Sequence, residues 1–243
     1  MKLLKYVLTH DSGLAPNPFF GACSLALCTP NHMNARLSVD DWVVGHSTKA
    51  TGNRLVYAMQ LTKVLSMDDY FVQFPEKHPN PYGDVEQQHG DNMYFRQGGR
   101  WRRLPSAEHN SVVSFRQDQG RQVYLAEGED RFWYFGANNF MPALQGFADR
   151  FPWLIRSGQG FAYVRDAERI LAFIEWLSSL GQSGVLGKPR DQQDIGAHRH
   201  LISIDAEPIW HDAKLDETHR QPAESCRRPP IPLSCDTRRV LLN

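Results

Sequence analysis

The segment RLVYAMQLTKVLS, residues 54–66, has the clearest secondary-structure pattern in the chain. Its side chains alternate between two faces, with Leu55, Tyr57, Met59 and Leu61 on one and Val56, Ala58, Gln60 and Thr62 on the other. A period of two residues is typical of a β-strand. The pattern therefore predicts one strand over the whole segment.

Shorter apolar runs on either side of this segment predict further strands, at 4–8, 22–28, 42–47, 111–115, 122–126 and 131–135. The run DAERILAFIEWLSSLG, residues 166–181, predicts the principal helix, because its apolar residues recur at helical spacing, Asp166 can cap it and Gly181 can end it. Residues 67–74 predict a helical turn. The proline- and glycine-rich residues 75–92 predict a long loop.

These elements predict an α+β domain with a mostly antiparallel, curved or barrel-like sheet and a few flanking helices. The domain is expected to span residues 1–188. Residues 189–243 are polar and rich in proline and histidine, so we predict a poorly ordered tail that is dispensable for folding.

Composition and simple motifs narrow the classes of function. Lys+Arg and Asp+Glu both number 27, so no whole-protein field attracts nucleic acid. No apolar run reaches about 18 residues, which predicts no membrane span, and the absence of a signal-peptide pattern predicts a cytoplasmic protein with reduced cysteines. The only metal-like spacing is HRH at 198–200, and no glycine-rich phosphate loop is present. We therefore expect neither a metal nor a cofactor.

Four polar segments at predicted strand ends supply the candidate site residues. The opening loop THDSGLAPNPFFG, residues 9–21, and the segments GHSTK, HGDNMYF and SAEHNS together contain His10, Asp11, Asn17, His46, Ser47, Lys49, Asp91, Asn92, Tyr94 and His109. Structural explanations remain open for them. Asp11 and Asp91 could close turns, and His46 could be a half-buried strand residue.

A local basic patch lies in residues 93–116, where one acid, Glu108, accompanies several arginines. Four of these arginines are candidate phosphate ligands, namely Arg96, Arg100, Arg102 and Arg103, and aromatic residues are interleaved with them. Arginine offers a forked donor to phosphate, and neighbouring aromatic rings can stack on unpaired bases. A hairpin with a solvated basic flank explains the same residues equally well.

The blocks APNPFFG, DWVVG, VYAM and GDNMY occur in this order, and together they are specific. Over about residues 4–187 the chain resembles the nucleotide modification associated domain family, second type. The chain departs from the family pattern at Glu108, where a histidine is usual, and at Gly45-His46-Ser47. The strand pattern along the sequence also resembles that of PUA-type barrels, which include readers of modified bases.

The resemblance implies a bacterial or phage domain that recognises a nucleotide or a modified base, with DNA more expected than RNA and other components of a base-modification system as partners. In that interpretation Asp11 and Asn17 read a base edge, and Trp42 and Tyr94 stack on the base. Two alternatives stay open. The chain could be an enzyme that modifies or hydrolyses a nucleotide, with Asp91 or His109 as general base, or an accessory interaction domain without a ligand.

Overall fold

The computed structural model describes residues 1–27, 34–106, 108–109, 112–118, 122–158, 160–194 and 207–208. Cys28 and the HRH motif lie outside them, as does the predicted tail apart from residues 189–194 and 207–208. Among the described residues, none of the helices has the length and apolar character needed to cross a membrane.

A six-stranded mixed sheet forms the centre of the domain. Its order is β10 (Phe161–Val164), β1 (Leu3–Val7), β3 (Trp42–His46), β4 (Leu55–Gln60), β9 (Phe132–Tyr134) and β11 (Gly184–Val185). The pairs β1–β3 and β9–β11 are parallel, and the others are antiparallel. In the described part of the chain β10 and β11 are its edges, so the sheet is open.

Two smaller antiparallel sheets complete the strands. One has the order β2 (Ala22–Leu25), β8 (Val123–Glu127) and β5 (Lys63–Leu65), and the other has the order β12 (Glu207–Pro208), β7 (Arg100–Arg103) and β6 (Tyr94–Gln97). The helices are α1 (Met67–Gln73), α2 (Val85–Gln88), α3 (Val112–Asp118), α4 (Phe147–Arg150) and α5 (Ala167–Ser179). The α+β class is confirmed.

Three apolar clusters hold these layers together. The first lies between the central sheet and the β2–β8–β5 sheet, and it includes Leu4 and Tyr124. The second packs α5 on the opposite face of the central sheet, where Phe173 lies near Trp133 in the same cluster. The third covers the outer face of the β2–β8–β5 sheet with α1, α3 and the β6–β7 hairpin. Residues 14–27 therefore contribute side chains to the first and third clusters.

The segment 54–66 is not the single strand that its alternation predicts. The Leu61 N–H donates to Asp41 O in the central sheet, whereas the Thr62 N–H donates to Leu125 O in the next sheet, so the chain changes sheets between these residues. An irregularity in the pairing of β3 with β4 also turns Leu55 away from Tyr57 and into the cluster beside α5. Residues 55–59 are buried on both faces of the central sheet, and the chain stays extended into β5, so the alternation in the sequence does not show where β4 ends.

Two other predicted elements differ. Residues 111–115 were expected to form a strand, yet Val112–Asp118 is helix α3. The helix packs Phe115 edge-on against Tyr94 and Trp101, with ring centroids 5.3 and 5.8 Å away, and this packing outweighs the β-preference of two valines. The predicted loop 75–92 contains a 3-10 turn, Pro75–Lys77, and helix α2, which Asp84 and Gln87 cap reciprocally.

Candidate functional site

A buried polar centre joins the opening loop to α1 and to the turn before β6. We use this name for Asn17, Ser24, Tyr70, Lys77 and Asp91, all of which are buried. The hydroxyls of Ser24 and Tyr70 each donate to the Asp91 carboxylate at 2.7 Å. Lys77 Nζ donates to Asn17 Oδ1 at 2.7 Å and to its carbonyl oxygen at 3.1 Å. Asn17 Nδ2 then donates to His89 O at 3.0 Å.

Burial is the largest cause of the pKa shifts of Asp91 and Lys77, the two ionisable groups of this centre that carry opposite charges. It raises the pKa of Asp91, and the charge of Lys77 and the two hydroxyl donors oppose that rise. Burial likewise lowers the pKa of Lys77, and the charge of Asp91 opposes that fall. Both Asp91 oxygens accept internal hydrogen bonds and the side chain is buried. The centre is suited to fixing the opening loop rather than to exchanging protons with a ligand in solvent.

Asp11 makes contacts across the domain instead of closing a local turn. Its carboxylate accepts from the Tyr134 hydroxyl, from the Ala137 N–H at 2.7 Å and from the Arg190 N–H at 3.3 Å. The Asp11 N–H donates to the Asp191 carboxylate at 2.9 Å, and His10 Nδ1 lies 3.2 Å from the same carboxylate. Burial raises the pKa of Asp11, against the effect of these hydrogen bonds.

A cluster of histidines and acids lies beside the opening loop. His89 Nδ1 is 2.9 Å from Glu108 Oε1, and His89 Nε2 donates to Gln193 O at 2.9 Å. Burial alone would lower the pKa of His89, but the hydrogen bond and charge of Glu108 outweigh it and raise that pKa. His109 Nδ1 lies 2.6 Å from Asp118 Oδ2. Each imidazole is thereby oriented by a carboxylate.

The predicted site residues fall into separate groups. Asn17, Asp91 and Asn92 converge, since Asn92 Nδ2 donates to the Tyr70 and Phe74 carbonyls, both at 2.9 Å. Tyr94 is buried, and its hydroxyl donates to His109 O at 3.4 Å. Trp42 instead lies on the other face of the central sheet, stacked on Trp133 at 5.9 Å, where no base reaches it without unpacking the core.

The GHSTK segment also lies apart from the buried polar centre. His46 is buried, its Nδ1 donates to Ser47 O at 2.8 Å and its Nε2 accepts from the Arg156 N–H at 2.9 Å. Ser47 Oγ accepts from the Arg54 N–H at 2.9 Å. These contacts are structural, whereas Lys49 is exposed in the 3-10 helix Lys49–Thr51.

The arginine-rich patch is a hairpin of β6 and β7. Gly98 and Gly99 form its two-residue turn with φ of 59° and 78°, which is the left-handed conformation that glycine adopts without strain. Arg96 and Arg100 are exposed and Arg102 is partly buried. Arg103 is buried and donates to His109 O at 3.1 Å, so its guanidinium holds the backbone of residue 109.

Partly buried aromatic rings lie on both faces of this hairpin. Phe95 stacks on Phe71 of α1 with centroids 4.6 Å apart, and Phe71 stacks on His78 at 4.2 Å. The Arg96 guanidinium lies 4.6 Å from the Trp101 centroid. Arg96 pairs with Trp101, whereas Phe95 pairs with Arg102, so each face of the hairpin combines an arginine with a partly exposed ring.

An open groove of about 520 Å³ lies at the start of β4, remote in sequence from every predicted cluster except GHSTK. It is lined by Gly52–Arg54, Asn139–Met141 and Leu144–Asp149. Sequence reasoning missed this groove, although the turn-forming GANNFMP after β9 carries an aromatic residue. It also missed Lys77 and Tyr70, whose side-chain partners are distant in the chain, and Asp118, which contacts the nearby His109. Within the described residues, no three His, Cys, Asp or Glu side chains are grouped to hold a metal ion.

The fold and these surfaces define an α+β domain with a buried polar centre, a histidine–acid cluster and a basic, aromatic hairpin. The chain belongs to the family described as nucleotide modification associated domain 2, whose model matches residues 1–195. That match confirms the resemblance seen in the sequence. No curated protein matches the chain, and no solved structure does.

Proposed function

We propose that the domain binds a nucleotide or nucleic acid in a base-modification system, with DNA as the expected polymer and other components of that system as partners. The match to the family of nucleotide modification associated domains supports the link to nucleotide modification. The observation that carries the proposal is the hairpin, where Arg96, Arg100 and Arg102 accompany Phe95 and Trp101. Arginine contacts with phosphate and ring contacts with bases are the usual means of binding unpaired strands.

Solvent exposure reduces the number of arginines that are candidates for phosphate contacts in this proposal. Arg96 and Arg100 are the exposed candidates, because Arg103 is buried and hydrogen-bonded to backbone. Arg96 Nε lies 3.4 Å from Asp68 Oδ2, and this exposed ion pair stabilises little. Exchange of that carboxylate for a phosphate therefore costs little. The likeness to PUA-type barrels stays a prediction.

The test measures the salt dependence of binding to single-stranded DNA and RNA of one sequence. Replacing Arg96 and Arg100 together by glutamine should weaken binding and flatten the log–log salt slope by about 1.4, or about 0.7 for each lost phosphate contact. Arg131→Gln with Arg169→Gln is the matched control, because these arginines are exposed outside the hairpin. An unchanged slope, or an equal change in the control, would reject the hairpin as the phosphate-binding surface.

An enzyme acting on a nucleotide is the second candidate, and the His109–Asp118 pair favours it. A carboxylate 2.6 Å from Nδ1 orients an imidazole as general bases are oriented. Asp91 fits that role less well, because it is buried and both of its oxygens are hydrogen-bonded. A change in the mass of a nucleotide incubated with the protein would favour the enzyme over the binding domain.

A further inference from the structure

The groove at the start of β4 has the size and the fixed walls of a small-molecule site. Its volume of about 520 Å³ lies within the range of about 300–1,000 Å³ that ligand pockets occupy. Asn139 Nδ2 donates to Leu55 O at 2.7 Å and to Gly136 O at 2.8 Å, and Arg54 donates to Asn139 O at 3.2 Å. These bonds tie one wall to the other, so the groove is formed before a ligand arrives.

An exposed aromatic ring lies at the groove beside a cation. Phe140 is 75% exposed, more than any other aromatic residue described, and the Arg54 guanidinium lies 4.1 Å from its centroid. The exposed ring therefore offers an apolar surface at the groove that a ligand can cover. A flat ring is the partner that gains most from a phenyl ring and a planar guanidinium together.

Polar side chains around the groove match the edge of a heterocycle. Asn53 and Gln145 each carry an amide with both donors and an acceptor, and Asp149 carries an exposed carboxylate that accepts from an amino group. Arg54 supplies positive charge, and Lys49 adds a second one three residues before Gly52, in the 3-10 helix that precedes the groove lining. A planar ring with a donor–acceptor edge and a phosphate is the chemistry of a nucleotide.

We propose that this groove binds a nucleobase, stacked on Phe140 and Arg54, with Asn53, Gln145 and Asp149 contacting its edge. The base could belong to a free nucleotide or to an unpaired position in a strand, because both present the same ring. This site is separate from the hairpin and does not need the hairpin's phosphate contacts.

The experiment is calorimetric titration of the full chain with the four deoxynucleoside monophosphates and with deoxyribose 5-phosphate, which lacks a base. A single-stranded pentanucleotide and its abasic counterpart distinguish a base in a strand from a free nucleotide. Phe140→Ala should bind the preferred mononucleotide or pentanucleotide about tenfold more weakly, the effect of losing one base–aromatic stack. Phe140→Tyr keeps the ring and should retain binding. Tyr82→Ala is the matched control, an exposed aromatic residue outside the groove lining.

Three results would overturn the inference. They are equal binding by Phe140→Ala and wild type, equal binding of the probes with and without a base, and no binding of any base-containing probe by wild type. The combined Arg96→Gln and Arg100→Gln variant should bind mononucleotides as wild type does. Failure of the hairpin proposal would appear in the salt slope of strand binding, whereas failure of the groove would appear in the mononucleotide titrations and the Phe140 series.

Discussion

Replacing Lys77 by methionine should destabilise the fold more than any exposed charge change. Lys77 is fully buried, and its ammonium donates twice to Asn17 and interacts with the charge of Asp91. Methionine fills similar volume but leaves the Asp91 carboxylate buried without a positive charge. The change also removes the donor from both Asn17 oxygens. Leaving a buried charge and buried acceptors without their partner costs on the order of 3–5 kcal/mol, which is a large share of the roughly 5–15 kcal/mol that stabilises a typical domain.

The companion change Asp91→Asn separates charge from packing. Asparagine keeps an oxygen that accepts from either Ser24 or Tyr70, and the other hydroxyl can rotate to accept from the new amide. The double variant Lys77→Met with Asp91→Asn carries neither charge. Its loss of stability should therefore be smaller than the sum of the two single losses, by a coupling energy of about 1–3 kcal/mol.

Urea unfolding at pH 7, followed by tryptophan fluorescence, measures all four proteins. Lys63→Met is the control, because Lys63 lies 2.7 Å from Glu127 at the surface, and it should cost less than about 1 kcal/mol. If the single losses add to within about 0.5 kcal/mol, the two buried charges do not stabilise each other and the reasoning fails.

The remaining predictions concern the end of the matched region and a buried histidine. Of the described residues, a chain ending at 194 loses only the two-residue strand β12 and should melt close to wild type. A chain ending at 188 also loses the Arg190 and Asp191 bonds to Asp11 and should melt at least about 4 °C lower than the chain ending at 194 by calorimetry; equal melting temperatures of the two shortened chains would contradict this. His46→Gln should cost about 1–3 kcal/mol at pH 7.5, because two buried hydrogen bonds are disturbed. Burial lowers the pKa of His46, so its contribution is present above about pH 6.5 and is lost as the pH falls through the lower, folded-state pKa. The stability gap between wild type and His46→Gln should therefore narrow in acid, and a constant gap in urea titrations from pH 7.5 to pH 5 would refute this.

The local sequence pattern was sufficient to predict those elements in which the residue preferences and the tertiary packing favour the same secondary structure. Helix α5 begins after Asp166 as predicted, because its cap and its apolar stripe both favour a helix there. The strand predicted at 42–47 is confirmed as Trp42–His46. The sequence pattern failed where one extended segment passes from one sheet to another, as at Leu61 and Thr62. It also failed where packing against residues distant in the chain determines the secondary structure, as at Phe115.

The candidate site was predictable only in part, for the same reason. The sequence identified Asp11, Asn17 and Asp91 as unusual polar groups in loops. It could not identify Tyr134 or Lys77 as their partners, because those contacts join residues 60 or more positions apart. Nor could the sequence place Trp42 in the core beside α5. Strand β3 is buried on both faces, so its local sequence does not show which face the tryptophan occupies.

The position of β1 has a consequence for synthesis on the ribosome. Residues 3–7 lie inside the central sheet, between β3 and β10, yet β10 comprises residues 161–164. While the chain emerges, this apolar strand therefore keeps one open edge until most of the domain has been translated. An unpaired edge is a template for pairing with other chains. Slow elongation before residue 161 should accordingly lengthen the time during which nascent chains can aggregate or recruit a chaperone.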